Sequence, residues 1–107
     1  MGIAVRVREY TGEVIAHLDA SVDILGLCDV AATEPTKFPM LSGIDRYDDT
    51  RFNSLQAVMM ASELGLLSRQ TEQAQVRDAV AALLPLVALL EPARGRPHHR
   101  RLDFTGD

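Results

Sequence analysis

The sequence has little cysteine and few aromatic residues. Its 107 residues include one cysteine, Cys28, and no tryptophan, and aromatic residues make up only 5% of the chain. A single cysteine excludes an internal disulfide and a zinc or iron–sulfur site held by several cysteines. We therefore expect Cys28 to be a small buried residue in a reducing compartment, within an aliphatic core. The 47% of hydrophobic residues is typical of a folded chain, and the length predicts one domain over residues 1–107.

The sequence also lacks a long hydrophobic run. Its longest strongly apolar stretch, residues 79–90, is too short to span a bilayer and contains Pro85. Near the N-terminus Arg6 and Arg8 alternate with apolar residues, which is unlike the separate charged and apolar regions of a signal peptide. These features predict a cytoplasmic protein that does not contact a membrane.

Acidic residues outnumber basic ones. The chain has 11 lysine and arginine residues against 15 aspartate and glutamate residues, which gives a formal net charge of −4. Nucleic-acid binding depends on basic side chains that neutralise phosphates, so we expect no nucleic-acid partner. An acidic chain is attracted at long range to basic partners, and the net charge mildly favours a basic protein as the partner.

The first half of the chain has the pattern of a hairpin, a short helix and a third strand. Residues 3–8 alternate between apolar and polar types, which is the period of a half-buried strand, and residues 14–18 follow a glycine turn as the return strand. A short helix is predicted to begin near Ser21. Residues 38–44 predict a third strand, which Pro39 would restrict to an edge of the sheet.

The second half predicts two helices and a last strand. Asp49 or Thr50 is the expected cap of the first helix and Thr71 of the second, and residues 100–105 form the expected last strand. The apolar side chains of the first helix recur at three- and four-residue spacings, at Phe52, Leu55, Val58, Met59 and Leu66. The sequence therefore predicts an α+β fold of order ββ(α)βααβ, a small, mostly antiparallel sheet of about four strands with helices covering one face.

The most distinctive segment is FPMLSGIDRYDDTRFNSLQ, residues 38–56. It contains the phrase D-x-Y-x-D-T-x-F-N-x-L-Q, from Asp45 to Gln56, and residues 104–107 have the form F-x-G-D. The pattern resembles a group of small bacterial proteins that share an opening hairpin, this phrase and this ending, and that have no established activity. The resemblance supports the α+β architecture and implies no particular chemistry.

Three aspartates, Asp45, Asp48 and Asp49, cluster in the turn within this segment. Mg²⁺ and similar cations favour clustered carboxylates, so a metal site centred on this turn is one hypothesis. The sequence has no glycine-rich phosphate loop and no second acidic cluster to support it. Aspartates ahead of a helix commonly cap its backbone N–H groups. We favour capping, and we predict neither a metal nor another cofactor.

Arg51, Asn53 and Gln56 are predicted to lie on the first turns of one helix. Asn53 and Gln56 are three residues apart, so their amides would be neighbours with both donors and acceptors to offer. One hypothesis is that the group recognises the backbone of a partner. We favour the other, that the amides pin the preceding turn, because most side-chain hydrogen bonds are made to backbone or water.

The polar side of the sheet is a second candidate surface. Arg6, Arg8, Arg101 and Asp103 should share one face if the first and last strands pair. Antiparallel sheets commonly leave one side to solvent, which is the simple explanation of such a face. A flat, charged face that no helix covers is also a plausible docking surface.

A basic run precedes and enters the last predicted strand and comprises Arg94, Arg96, His98, His99, Arg100 and Arg101. Adjacent histidines on an extended segment point to opposite sides, so they are poor joint metal ligands. We favour a solvated loop here, with contact to an anionic ligand as the alternative.

The sequence contains no recognisable catalytic constellation. We therefore predict a non-enzymatic protein-binding domain, for example an immunity-type or inhibitory partner of another protein. Its candidate binding residues are Arg51, Asn53, Gln56, Arg6, Arg8 and Arg101. Two alternatives stay open: a small enzyme or a metal- or ligand-binding protein centred on the turn from Asp45 to Asp49, and a homo-oligomeric structural protein that uses its apolar helices or an edge strand.

Overall fold

The computed structural model describes residues 2–92 and 99–106. Within these residues the chain forms four strands and four helices, namely β1 (Ala4–Arg8), β2 (Val14–His17), α1 (Ile24–Ala32), α2 (Pro39–Ser42), β3 (Asp49–Phe52), α3 (Ser54–Gln70), α4 (Ala74–Ala88) and β4 (Arg101–Thr105). The strands form one antiparallel sheet in the order β2-β1-β4-β3. The predicted α+β class is confirmed, whereas the third strand lies at Asp49–Phe52 instead of residues 38–44 and α2 is an additional helix.

The two central strands supply the apolar side of the sheet. Val5 on β1 lies opposite Phe104 on β4, and Val7 lies opposite Leu102. All four side chains are buried and belong to one core cluster with residues of the helices. Phe52 on β3 extends this layer through an edge-to-face contact with Phe104, with ring centroids 5.7 Å apart. The helices therefore cover one face of the sheet.

Helices α3 and α4 pack against each other and supply much of the aliphatic core. Their buried apolar residues are Ala57, Met60, Leu64 and Leu67 on α3 and Val76, Ala79, Val80, Leu83, Leu86 and Val87 on α4. Helix α4 continues through Pro85, which lies on the exposed side of the helix. Neither these two helices nor any other helix in residues 2–92 and 99–106 is long and apolar enough to cross a membrane.

The predicted strand at residues 38–44 is wrong, because this segment forms the short helix α2. Pro39 occupies its first turn, where a missing N–H costs nothing. The N–H groups of this first turn, which have no partner within the helix, are satisfied by Glu63 on α3, whose buried carboxylate accepts from the N–H of Met40 at 3.0 Å and from that of Leu41 at 3.0 Å. A carboxylate at this end also suits the helix dipole. The helical conformation of α2 thus depends on Glu63, a residue far along the chain.

The predicted helix starts also shift. Asp49 and Thr50 do not cap α3, because they belong to β3, and Asn53 is the cap. The cap of α4 is Gln73 rather than Thr71. Helix α1 begins at Ile24, later than expected, after a cap whose side chain accepts from the Gly26 N–H. Each shift moves a boundary by a few residues, and the first of them transfers Arg51 from a helix to the sheet.

Candidate functional site

The sheet face opposite the helices carries four arginines around one aspartate. In the strand register, Asp103 on β4 lies between Arg6 on β1 and Arg51 on β3. Arg8 and Arg101 face each other one step along the same side. We call these five residues the arginine face. The predicted grouping of Arg6, Arg8, Arg101 and Asp103 on one side agrees with this register, and the structure adds Arg51.

Asp103 is the centre of the arginine face and is only 6% exposed. Its Oδ2 accepts a hydrogen bond from the Nε of Arg8 at 2.9 Å. Its Oδ1 lies 3.6 Å from the Nε of Arg51 and 3.6 Å from the Nε of Arg101, beyond normal hydrogen-bond length. Within the described residues, Asp103 Oδ1 and Arg101 Nε are buried and have no hydrogen-bond partner. One carboxylate oxygen is thus fully engaged and the other is only loosely approached.

Arg8 is held in place more firmly than its neighbours. Besides its bond to Asp103, its Nη1 donates to the carbonyl of Gly12 at 2.9 Å. Gly12 lies in the β1–β2 turn with φ +93°, a conformation that favours glycine. Arg8 therefore ties the turn to the sheet and fixes Asp103 at the same time.

The other three arginines of the face are less constrained. Among the residues that the structure describes, Arg51 contacts only Asp103, at the longer distance, and its side chain is 60% exposed. Within the same ranges Arg101 also makes only its longer contact to Asp103, with its side chain partly exposed. Arg6 forms no ion pair with any residue of the described ranges. These three guanidinium groups are consequently available to a ligand.

Only part of the predicted basic run lies in the described ranges. Arg94, Arg96 and His98 fall outside them, and His99 is exposed. Arg100 is not a solvated loop residue, because its Nε donates to Glu9 at 2.8 Å and its Nη1 to the Leu89 carbonyl at 2.8 Å. It anchors the start of β4 to the rest of the molecule. Arg101 is the member of the run that belongs to the arginine face.

The acidic turn is bonded to its own backbone. Asp45 Oδ1 accepts from the N–H of Tyr47 at 2.8 Å, and Asp48 Oδ1 accepts from the N–H of Asp49 at 2.7 Å. Thr50 Oγ1 closes the turn by accepting from the N–H of Asp45 at 2.9 Å. The described residues contain no group of three or more histidine, cysteine, aspartate or glutamate side chains that could hold a metal ion. The geometry gives the turn a structural role.

Asn53 and Gln56 form a capping box at the start of α3. Asn53 Oδ1 accepts from the N–H of Gln56 at 2.9 Å, and Gln56 Oε1 accepts from the N–H of Asn53 at 2.8 Å. The amides therefore hold the first turn of α3, whereas Thr50 holds the preceding turn. The structure separates this pair from Arg51, which lies on β3 and faces Asp103. Spacing alone signalled the pair, since Asn and Gln three residues apart are typical of a helix N-terminus.

Helix α3 has an exposed apolar stripe among its regularly spaced apolar residues. Leu55 is 81% exposed, and Val58 and Met59 are each more than half exposed. The buried side of the helix is the opposite one, with residues such as Ala57, Met60 and Leu64. Both sides of α3 are apolar, so spacing alone did not identify the face toward the core.

Cys28 has the buried structural role expected of it. It is a free cysteine on α1 within the core cluster. Burial is the main cause that raises the pKa of its thiol to about 12, with a smaller contribution from the charge of Asp29. Because a nucleophilic cysteine must be a thiolate, Cys28 is unsuited to catalysis at neutral pH.

The chain was compared with models of protein families, with curated proteins and with solved structures, and none of them matches it.

Proposed function

We propose that this protein is a non-enzymatic protein-binding domain and that its arginine face docks an acidic segment of a partner protein. The observation that carries the proposal is the excess of guanidinium groups over carboxylates, four against the two of Asp103 and Asp49, on a sheet face that none of the described helices covers. An immunity-type or inhibitory partner of another protein would act in this way, in the cytoplasm.

The charge of the face favours an acidic partner. Guanidinium groups bind carboxylates through paired N–H donors, and they are less strongly hydrated than lysine ammonium groups. The formal net charge of −4 belongs to the whole chain, whereas a partner segment on this face meets Arg6, Arg51 and Arg101 at close range. The local field of the arginines therefore determines which sign of charge the partner segment carries. It favours an acidic segment, in contrast to the basic partner expected from net charge.

The geometry gives less support to an enzyme. Asp45 and Asp48 each use a carboxylate oxygen to accept a hydrogen bond from a backbone N–H group of their own turn. The raised pKa of Cys28 keeps its thiol protonated at neutral pH. Binding to a protein requires neither a metal nor a nucleophile. The arginine face provides exposed positive charge and hydrogen-bond donors, which are sufficient to bind an acidic segment.

Self-association is a second candidate function, favoured by the exposed stripe of Leu55, Val58 and Met59 on α3. Exposed apolar patches commonly mark protein contacts. Sedimentation equilibrium of the wild type and of Val58→Lys tests it. A dimer that the substitution dissociates would support self-association, and a monomer at all concentrations would eliminate it.

The test of the main proposal removes charge from the arginine face without adding a carboxylate beside Asp103. The double variant Arg6→Gln/Arg51→Gln is compared with Lys37→Gln/Arg69→Gln, which removes the same charge from exposed positions elsewhere. Tagged proteins capture partners from native lysate at low and high salt. We expect one acidic partner, held by the wild type and the control, released by salt and lost from the face variant.

Two results would contradict the proposal. The first is a folded face variant that retains the same partner as the wild type. The second is a partner whose contacting segment, mapped by cross-linking, is basic or whose capture does not depend on salt.

A further inference from the structure

We infer that the arginine face accommodates a phosphoryl group, and that the acidic segment of the partner therefore carries a phosphorylated side chain. The inference rests on the proposed function, because it names the chemical group that the same face would bind. The spacing of three arginines, their charge and the state of Asp103 support it.

The strand register allows three arginines to converge on one group. Neighbouring strands lie about 4.8 Å apart, so Arg6 and Arg51 start roughly 10 Å apart on either side of Asp103. Arg101 starts about 7 Å from Asp103 along β4, since residues two apart on a strand share a face. Arginine side chains are long enough to meet above Asp103 from these three directions. A tetrahedral group offers an oxygen to each of them, whereas a planar carboxylate has only two oxygens.

The charge balance also favours a phosphoryl group. Asp103 neutralises one of the four guanidinium charges. Its short bond to Arg8 shows that this charge is the one on Arg8. Among the described residues Arg6 has no ion pair and Arg51 and Arg101 make only the 3.6 Å contacts to Asp103, while Asp49 beside Arg51 is the other carboxylate on this side of the sheet. A phosphorylated side chain carries a charge of about −1.5 to −2 at neutral pH and three strong acceptor oxygens. A single carboxylate would neutralise less of the face and leave one arginine without a partner.

Asp103 prepares the site without closing it. The carboxylate is buried, and the Arg8 bond fixes its position. Its Oδ1 points between Arg51 and Arg101, 3.6 Å from the Nε of each, and has no hydrogen-bond partner in the described structure. The two guanidinium groups can therefore turn toward a ligand without breaking a short hydrogen bond.

The test compares three fluorescently labelled acidic peptides that differ at one central position, which is phosphoserine, glutamate or serine. Binding is followed by fluorescence anisotropy with wild-type protein, Arg51→Gln/Arg101→Gln and the control Lys37→Gln/Arg69→Gln. We expect the phosphoserine peptide to bind at least tenfold more tightly than the glutamate peptide. The face variant should lose this preference, and the control should keep it. The preference should also decline below about pH 6, where a phosphoryl group takes up its second proton.

The outcomes separate this inference from the proposed function. Equal affinity for the phosphoserine and glutamate peptides, with both lost in the face variant, would overturn the phosphoryl group and leave an acidic partner intact. Equal binding of the phosphoserine peptide by the wild type and the folded face variant would overturn the site. A wild type that binds none of the peptides would overturn the phosphoryl inference, while lysate capture with the Arg6→Gln/Arg51→Gln variant would still decide the proposed function.

Discussion

The backbone N–H of Gly106 donates a hydrogen bond to the carbonyl oxygen of Asp48 at 3.0 Å. The residue that follows β4 is thereby joined to the acidic turn that precedes β3. A Cβ built at Gly106 would lie 2.5 Å from the backbone carbon and oxygen of Arg46 and 2.7 Å from the nitrogen of Tyr47. The two distinctive pieces of the sequence, the central phrase and the F-x-G-D segment, are in contact at this point.

Gly106→Ala should destabilise the protein, because the added methyl group collides with backbone that must move. Overpacking of this kind costs about 1–3 kcal/mol in the free energy of unfolding, and we expect a loss in that range in urea denaturation. Gly2→Ala is the matched control, since no atom lies within 4 Å of a Cβ at Gly2. Equal stability of the two variants would mean that the turn does not contact Gly106 as described.

Glu63→Gln tests the buried carboxylate that caps α2. The change keeps an oxygen that can accept from both Met40 and Leu41, but it removes the negative charge and turns the second acceptor on Met40 into an NH2 group. Hydrogen bonds to a charged group contribute about 1.5–3 kcal/mol, more than neutral ones, so we expect a loss of about 1–2 kcal/mol. Chemical denaturation beside the exposed control Glu72→Gln measures it. A variant as stable as the control would show that α2 does not depend on Glu63.

Asp103→Asn tests the centre of the arginine face. Removing its charge weakens its contacts with Arg8, Arg51 and Arg101, and because these guanidinium groups are partly exposed we expect a loss of about 1–3 kcal/mol. Added salt or phosphate should recover part of this loss by screening or occupying the arginines. Thermal unfolding at several salt concentrations measures the effect, with Asp78→Asn on the exposed side of α4 as the control. A small loss that does not respond to salt would contradict the described electrostatics.

Asn53→Ala and Asn53→Asp distinguish a cap from a binding residue. Alanine cannot accept from the Gln56 N–H and should lower the free energy of unfolding by about 1 kcal/mol, whereas aspartate is as good a cap and should retain it. If Asn53 only caps α3, partner capture should persist in both variants as long as they are folded. Loss of the partner in stable Asn53→Asp would instead place Asn53 in the binding surface.

Cys28 predicts a dependence of stability on alkaline pH. The folded thiol has its pKa raised from 9.0 to about 12, mainly by burial. Below pH 9 both the folded and the unfolded chain keep the proton, so the contribution is complete. Above pH 9 the unfolded chain loses it first, and the free energy of unfolding falls until the folded thiol also titrates.

Between pH 8 and pH 10 the wild type should lose about 1.4 kcal/mol more than Cys28→Ala, which cancels the groups common to both proteins. Urea denaturation at the two pH values measures this difference. Identical pH dependence in the two proteins would contradict the raised pKa.

The alternation of apolar and polar residues predicted the strands β1 and β4 and the side of the sheet on which their residues lie. Alternation in β1 and β4 placed Arg6, Arg8, Arg101 and Asp103 on one side, and the register agrees. The segment from Phe38 to Ile44 is short and apolar, which is the pattern of a strand. Its helix depends on Glu63, which lies 23 residues beyond Met40, and no local pattern reveals such a partner.

The position of Arg51 was missed for a different reason. Asp49 and Thr50 are both good helix caps, and Asn53 with Gln56 three residues later is also a capping pattern. The second of these forms the helix start, which leaves Asp49–Phe52 to pair with β4 as β3. The membership of Arg51 in the arginine face then follows from the strand order, which needs the whole chain.

The position of β4 in the sheet has a consequence for the time at which the protein can fold during synthesis. Because β4 is the last of the described strands in chain order and lies between β1 and β3, the emerging chain cannot complete the sheet until residue 105 has left the ribosome. Until then β1 and β3 are unjoined, and the apolar sides of α3 and α4 lack part of their cover. We expect the sheet to form only after β4 has emerged, with apolar surface of the helices transiently exposed until this strand inserts.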